Sequence, residues 1–270
     1  MGWLRRARQH LRELGAGDAA RLLLGMGVLA VHQGDHDVAT AVLQQSLTQS
    51  ETCGDHLHAG LALNYLAIGA AERANLDFER VSALFDAARL RFQRVANTYW
   101  VAGCVTNLGM VASATGGYQR AITLLEEAFV LHHARGTEWG VATTAVNIGL
   151  AQLGLAQVRC GDGQAARHWL REGIVLGRQH SFPAIVAEGM EGLAEASILV
   201  QHTEKAARLF GVAEHLRHSI GMALPTRNVL PHDAALTTVR KALGAAVVTR
   251  LLAERSAMSL NDDVTERRRR

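Results

Sequence analysis

Three glutamates, Glu188, Glu191 and Glu195, recur at close spacing in the 270-residue chain. Spaced three and four apart, they share one helical face, where crowded carboxylates repel and call for a cation, an arginine or a hydrogen-bonding ligand. Arg73 and Arg159 are the candidate partners, either for a ligand carboxylate or for the glutamates themselves. An exposed acidic face with no partner fits the spacing as well.

Cys53, His56 and His58, beside Asp55, form the most ligand-like short group, C-x2-H-x-H. Two ligands one residue apart do not lie on the same helical face, so zinc would need a loop to hold them; no metal site is expected. His132 and His133 close a helix, where imidazole suits the terminus without any chemistry. Cys104 reads as a small core residue, and Cys160 precedes a turn with no base spaced beside it. An acid–base site joining the glutamate row to His32 or Arg159 would need a deep closed pocket that nothing local demands. The chain is therefore expected to be neither an enzyme nor a cofactor binder.

Composition narrows the partners. The net charge is only +3, and four arginines occupy positions 267–270, so the remainder is close to neutral and direct nucleic-acid contact is not expected. Three widely spaced cysteines without a CxxC suit a reducing cytoplasm. The N-terminus alternates charge with apolar residues, unlike a signal peptide. The apolar stretches at 21–31 and 101–114 are interrupted by Arg, Gly, Thr or Asn, which argues against membrane spans and for a soluble cytoplasmic protein. Three prolines, 26 glycines and 49% apolar residues point to helices joined by short turns.

Positioning falls to a repeated unit. GDHDVATAVLQQSL (34–47) is echoed by LDFERVSALFDAAR (76–89), GYQRAITLLEEAFV (117–130), DGQAARHWLREG (162–173) and TEKAARLFGVAE (203–214). A small residue in a first helix falls at Gly27, Gly69, Gly109, Gly154 and Ala194, and twelve residues later come Ala39, Val81, Ala121, Ala166 and Ala206. Four further on stand Leu43, Phe85, Leu125, Leu170 and Phe210; three beyond those, Ser46, Ala88, Ala128, Gly173 and Ala213. These offsets put three positions on one face of a second helix. Gly34, Leu76, Gly116, Gly161 and Gln201 stand between the helices, mostly the glycine expected at a left-handed helix end. Spacings of 42, 40, 45 and 40 residues lie in the range of helical solenoids.

Small residues let paired helices approach closely, and stacking on a neighbour buries the face that one hairpin leaves bare. Leu57, Trp100, Trp139 and Phe182 open successive first helices, and their periodicity favours packing between repeats over a ligand cage. A helix over 3–14, ended by GAGD, reads as half a preceding unit. The resulting division is a repeat array over 1–222, capping helices over 223–261 after a two-proline loop, and a frayed basic tail over 262–270.

The small residue in the first helix, the glycine turn and A-x3-F/L-x2-A resemble the tetratricopeptide repeat, most fully in LGMVASATGGYQRAITLLEEAF (108–129). That resemblance implies an all-α, right-handed superhelical solenoid. EKAARLFGVAEHLRHSIGMALP (204–225), the AALTTVRKALG run and the closing AERSAMSL are similar to the end of the large ATPase-containing transcriptional activators of the LuxR type and their maltose-regulator-like and antibiotic-pathway relatives. In those proteins a nucleotide-binding domain precedes the repeats, and the repeats receive an inducer or partner. Leu252-Ala253-Glu254-Arg255-Ser256 departs from the Trp-Ala-Glu-Gly-Arg found there. No G-x-x-x-x-G-K-[ST] occurs, and the only lysines are Lys205 and Lys241.

In such an array the first helices line the concave side. Inward positions supply Leu24, Val28, Val31, His32, Leu63, Leu66, Ala70 and Arg73, then Thr106, Met110, Ser113, Ile148, Ala151, Leu155 and Arg159, and finally the glutamates. Asn64, Asn107 and Asn147 recur on first helices, where asparagine needs a reason, either packing or a bound main chain. The candidate binding residues are Leu66, Arg73, Asn107, Met110, Leu155, Arg159, Glu188, Glu191 and Glu195. Glu191→Ala and Arg159→Ala are expected to alter ligand affinity with the fold intact. The expected function is an effector- or peptide-binding module of a regulator. The alternatives are an adaptor or homodimerisation scaffold and, behind these, a small-molecule enzyme in the groove.

Overall fold

The computed structural model describes residues 14–73, 76–161 and 163–254. The helix expected over 3–14 lies outside the described residues except for Leu14, as does the tail at 262–270. Among the described residues there are twelve α-helices and no strand: α1 (Ala16–His32), α2 (His36–Thr52), α3 (His56–Ala71), α4 (Phe78–Arg94), α5 (Thr98–Ala114), α6 (Tyr118–Ala134), α7 (Glu138–Val158), α8 (Gln164–Gln179), α9 (Pro183–Leu199), α10 (Thr203–Ser219), α11 (Thr226–Leu243) and α12 (Ala245–Ala253). The chain divides after Thr115 into two compact units. The first holds α1–α5 and the second α6–α12.

Within each unit the helices form repeated hairpins, packed more closely inside a pair than between pairs. The repeated positions explain why. Ala39, Val81, Ala121, Ala166 and Ala206 are at most 1% exposed, and Leu43, Phe85, Leu125, Leu170 and Phe210 at most 3%. Ser46, Ala88, Ala128, Gly173 and Ala213 are buried as well. Ser46 is the polar member, and its hydroxyl donates to the Ala20 carbonyl oxygen at 2.8 Å across the α1/α2 hairpin. A fourth buried position follows four residues later, occupied by Ser50, Phe92, His132, Gly177 and Arg217.

The small residues of the first helices mark where the partner helix touches. A Cβ on Gly27 would overlap the Leu43 side chain. In α7 the register differs from the simple alignment. A Cβ on Gly149 would lie 2.6 Å from Leu170 Cγ and 2.9 Å from its backbone nitrogen, whereas Gly154 faces the Tyr118 ring. Gly149 stands 40 residues after Gly109, so the spacing of 45 is an ordinary repeat with five residues added before the next unit. Those residues lengthen α7 to 21 residues, against 17 in α6 and 16 in α8. By length and composition α7 is apolar enough to cross a membrane, unlike the interrupted stretches at 21–31 and 101–114, but 61% of its most apolar part is buried within the protein, as in a core helix.

The turns also depart in detail. Gly34, Gly116 and Gln201 take positive φ as expected, but Cys160 (φ 52°) does so in place of Gly161. Ala96 (φ 51°) and Ser181 (φ 59°) hold the same conformation between hairpins, where an L side chain is strained.

Two cores result. In the first unit Leu24, Val31, Leu43 and Leu66 pack together; in the second, Val146, Leu170, Ile174, Met190 and Phe210 form the centre. The expected loop over 222–233 is mostly helical, with Pro225 at the N-cap of α11 and Pro231 inside it. Leu236, Val239, Val248 and Leu251 of α11 and α12 join the core beside Phe210. There α12 comes so near that a Cβ on Gly211 would lie 2.9 Å from Leu252 Cα.

Candidate functional site

The candidate residues fall in both units. In the first, Leu66 is 8% exposed within the core against Leu24, Val31 and Leu43. Arg73, just beyond α3, donates to Asp37 Oδ1 at 2.8 Å and to Thr40 Oγ1 at 3.2 Å, tying it to α2. It borders a surface depression of about 440 Å³ shared with Gly34, His36 and Glu72. Asn107 and Met110 are half-buried on α5. Asn64, the earlier member of the asparagine series, is buried, with Cys104 Sγ 3.9 Å from its Oδ1. Burial pushes the Cys104 thiol up to about 12, so it carries no nucleophilic thiolate at neutral pH.

The Cys53–His58 group is occupied locally. Asp55 caps α3 by accepting from the His58 backbone N–H at 3.0 Å, and its other oxygen lies 2.7 Å from His58 Nδ1. Burial pushes the Asp55 carboxyl upward, but the bonds to His58 outweigh it and hold the group below its ordinary range. His56 Nδ1 lies 3.3 Å from Arg91, whose guanidinium also donates to Glu51 at 2.5 Å. Among the described residues no three His, Cys, Asp or Glu side chains gather as a metal-holding group.

In the second unit the glutamate row separates into different environments. Glu191 and Arg217 are each only 7% exposed. The guanidinium of Arg217 donates from Nε to Glu191 Oε1 at 2.7 Å and from Nη2 to Oε2 at 2.9 Å. This two-pronged geometry is the arrangement in which a guanidinium and a carboxylate bind most strongly. The bond to Glu191, working against burial and assisted by the charges of Glu191 and Glu188, raises the Arg217 pKa further. Glu188 is half-buried and has interactions of its own. Glu195 is half-buried too; burial first, and the Glu191 charge second, push its carboxyl up to about 7. Leu155 is half-buried on α7, and Arg159 is exposed at the C-cap of that helix.

The arginine that answers Glu191 is therefore Arg217, which the sequence reading did not select. It was within reach: Phe210, Ala213 and Arg217 stand at i, i+3 and i+7, so Arg217 continues the buried face of its helix. The same register places His132 seven residues after Leu125, and there the imidazole fills the space where Gly140 has no side chain. Burial holds the His132 pKa below its ordinary value.

Fold and side chains together define an all-α helical-repeat protein built of hairpin units, with a buried ion pair at the end of its fifth repeat. No family model matches the chain, and no curated protein matches its sequence.

Proposed function

We propose that the chain is a non-catalytic, cytoplasmic helical-repeat scaffold whose outer residues bind a partner protein or peptide. The observation that carries this is Trp139, 56% exposed at the start of α7, although its repeat register would suit packing. Tryptophan left in water is costly on a free surface and is the side chain most enriched at the energetic centres of protein interfaces. Leu29, Leu90 and Tyr99 in the first unit and Val130 and Val158 in the second are also exposed.

The finer reading, a right-handed superhelical sensor region of a LuxR-type activator with an effector in its concave groove, is supported by the sequence likeness at 204–225.

Native mass spectrometry of the protein taken from its producing cells separates the two. A co-isolated protein, or a homodimer, whose affinity falls by about 2 kcal/mol or more in Trp139→Ala supports the scaffold. A retained small-molecule mass, with partner binding unchanged in Trp139→Ala, overturns it in favour of the effector receptor.

A further inference from the structure

Leu23 and Met26 of α1 and Val42 of α2 pack together and are only 3%, 2% and 0% exposed. They lie on the side of the first hairpin away from α3: successive helical residues point about 100° apart, and the adjacent Leu24 and Leu43 belong to the core shared with Leu66 of α3. The described apolar side chains packed against the trio are Leu22 and Val38, both partly buried. Complete burial of three large side chains at the edge of a two-helix layer needs a further element above them. Beside them runs an open groove of about 610 Å³, bordered by Leu14, Ala19 and Leu23 on one side and by Gln44, Gln45 and Thr48 of α2 on the other. Leu14 is the last residue before Gly15, the N-cap of α1, so the chain enters α1 from the groove.

We propose that this groove is an intramolecular docking site for residues 3–13, which lie in it as an amphipathic helix antiparallel to α1 with Leu4, Ala7 and Leu11 over Leu23, Met26 and Val42. Residues 1–13 are outside the described part of the chain; the covered face, the groove and the sequence pattern carry the docking. Trp3, Leu4, Ala7, Leu11 and Leu14 follow one helical stripe, and Arg5, Arg8 and Arg12 fall opposite it. Ala7-x3-Leu11-x2-Leu14 also repeats the ladder of Ala39, Leu43 and Ser46, whose counterparts are buried in every later repeat. In the described array each second helix packs on the first helix that follows it as well as on its own, α2 on α3, α4 on α5 and α6 on α7. Residues 3–13 on α1 repeat that contact. The start of α1 two residues after Leu14 leaves a short connection, which makes consecutive helices antiparallel neighbours. A helix over 3–13 spans roughly 16 Å, enough to cover the distance of about 10 Å along α1 from Ala19 to Met26. A second copy is not required, because Leu23, Met26 and Val42 are already out of water within a single chain. The groove belongs to the first unit and Trp139 to the second, so the docking stands apart from the partner-binding reading.

The test combines amide hydrogen exchange and methyl NMR on the full chain. A lone helix of this length is marginal in water, so the amides of 7–13 exchange slowly only when the segment is docked. They should be protected about tenfold or more relative to an unstructured peptide. Leu11→Asp should abolish that protection and speed exchange at Leu23 and Met26, whereas Arg12→Asp, on the opposite stripe, should leave both unchanged. Nuclear Overhauser contacts should join the methyls of Leu4 or Leu11 to those of Leu23 or Met26 within one chain. A mixture of two differently labelled chains identifies their origin: contacts found only between copies would give the groove to a homodimer and overturn the proposal. Should Leu11→Asp fail to fold, the methyl contacts of the unaltered protein decide. Fast exchange throughout 7–13, equal effects of Leu11→Asp and Arg12→Asp, or no contact between the two sets of methyls would likewise overturn it.

Discussion

Arg217 holds both oxygens of Glu191 from the opposite helix of the same hairpin, at 2.7 and 2.9 Å, and both side chains are removed from water. Removing one partner strands the other charge. Arg217→Met and Glu191→Ala are each expected to destabilise the protein by about 3–5 kcal/mol, whereas Glu191→Leu combined with Arg217→Met recovers most of that loss. Urea denaturation of the three variants checks this. A loss below about 1 kcal/mol in either single variant would mean that the pair is effectively solvated.

Glu195 gives a pH dependence of opposite sign to that of an ordinary paired carboxylate. Its folded pKa is raised from 4.5 to about 7, so between these values the folded protein binds more protons than the unfolded chain. Its contribution is fully present below about pH 4.5 and is lost as pH rises through about 7. The shift corresponds to about 3 kcal/mol at most. Glu195→Gln should flatten this part of the stability profile and be the more stable protein at pH 8, as measured by denaturation across the range. A parallel profile for both proteins would contradict the assignment.

Gly149 and Gly25 make a paired test of helix contact. Gly149→Ala should cost about 1–3 kcal/mol, because Leu170, including its backbone nitrogen, occupies the space. Gly25 is exposed on α1 with nothing within 4 Å of a Cβ, and Gly25→Ala should stabilise by about 0.5–1 kcal/mol through helix propensity alone. Thermal unfolding of the two variants gives opposite shifts if the register of α7 is right.

Ala96 is exposed and holds φ 51° at the turn after α4. Relief of the left-handed strain makes Ala96→Gly stabilising by roughly 1 kcal/mol, reduced by the greater freedom of glycine in the unfolded chain. Loss of stability in a melting experiment would count against that backbone geometry.

What the sequence by itself determined was the repeated hairpin. Periodic small and large residues have few ways to bury one face, and every residue from Ala39 to Ala213 in that ladder is indeed inside. The glutamate spacing likewise placed three carboxylates on one helix. Tertiary structure decided what each of them meets, because a partner such as Arg217 is 26 residues away in the chain and only the α9/α10 crossing brings it to Glu191. Local offsets also could not tell Gly149 from Gly154 as the point of contact, since both are small and only the packing of Leu170 and Tyr118 distinguishes them.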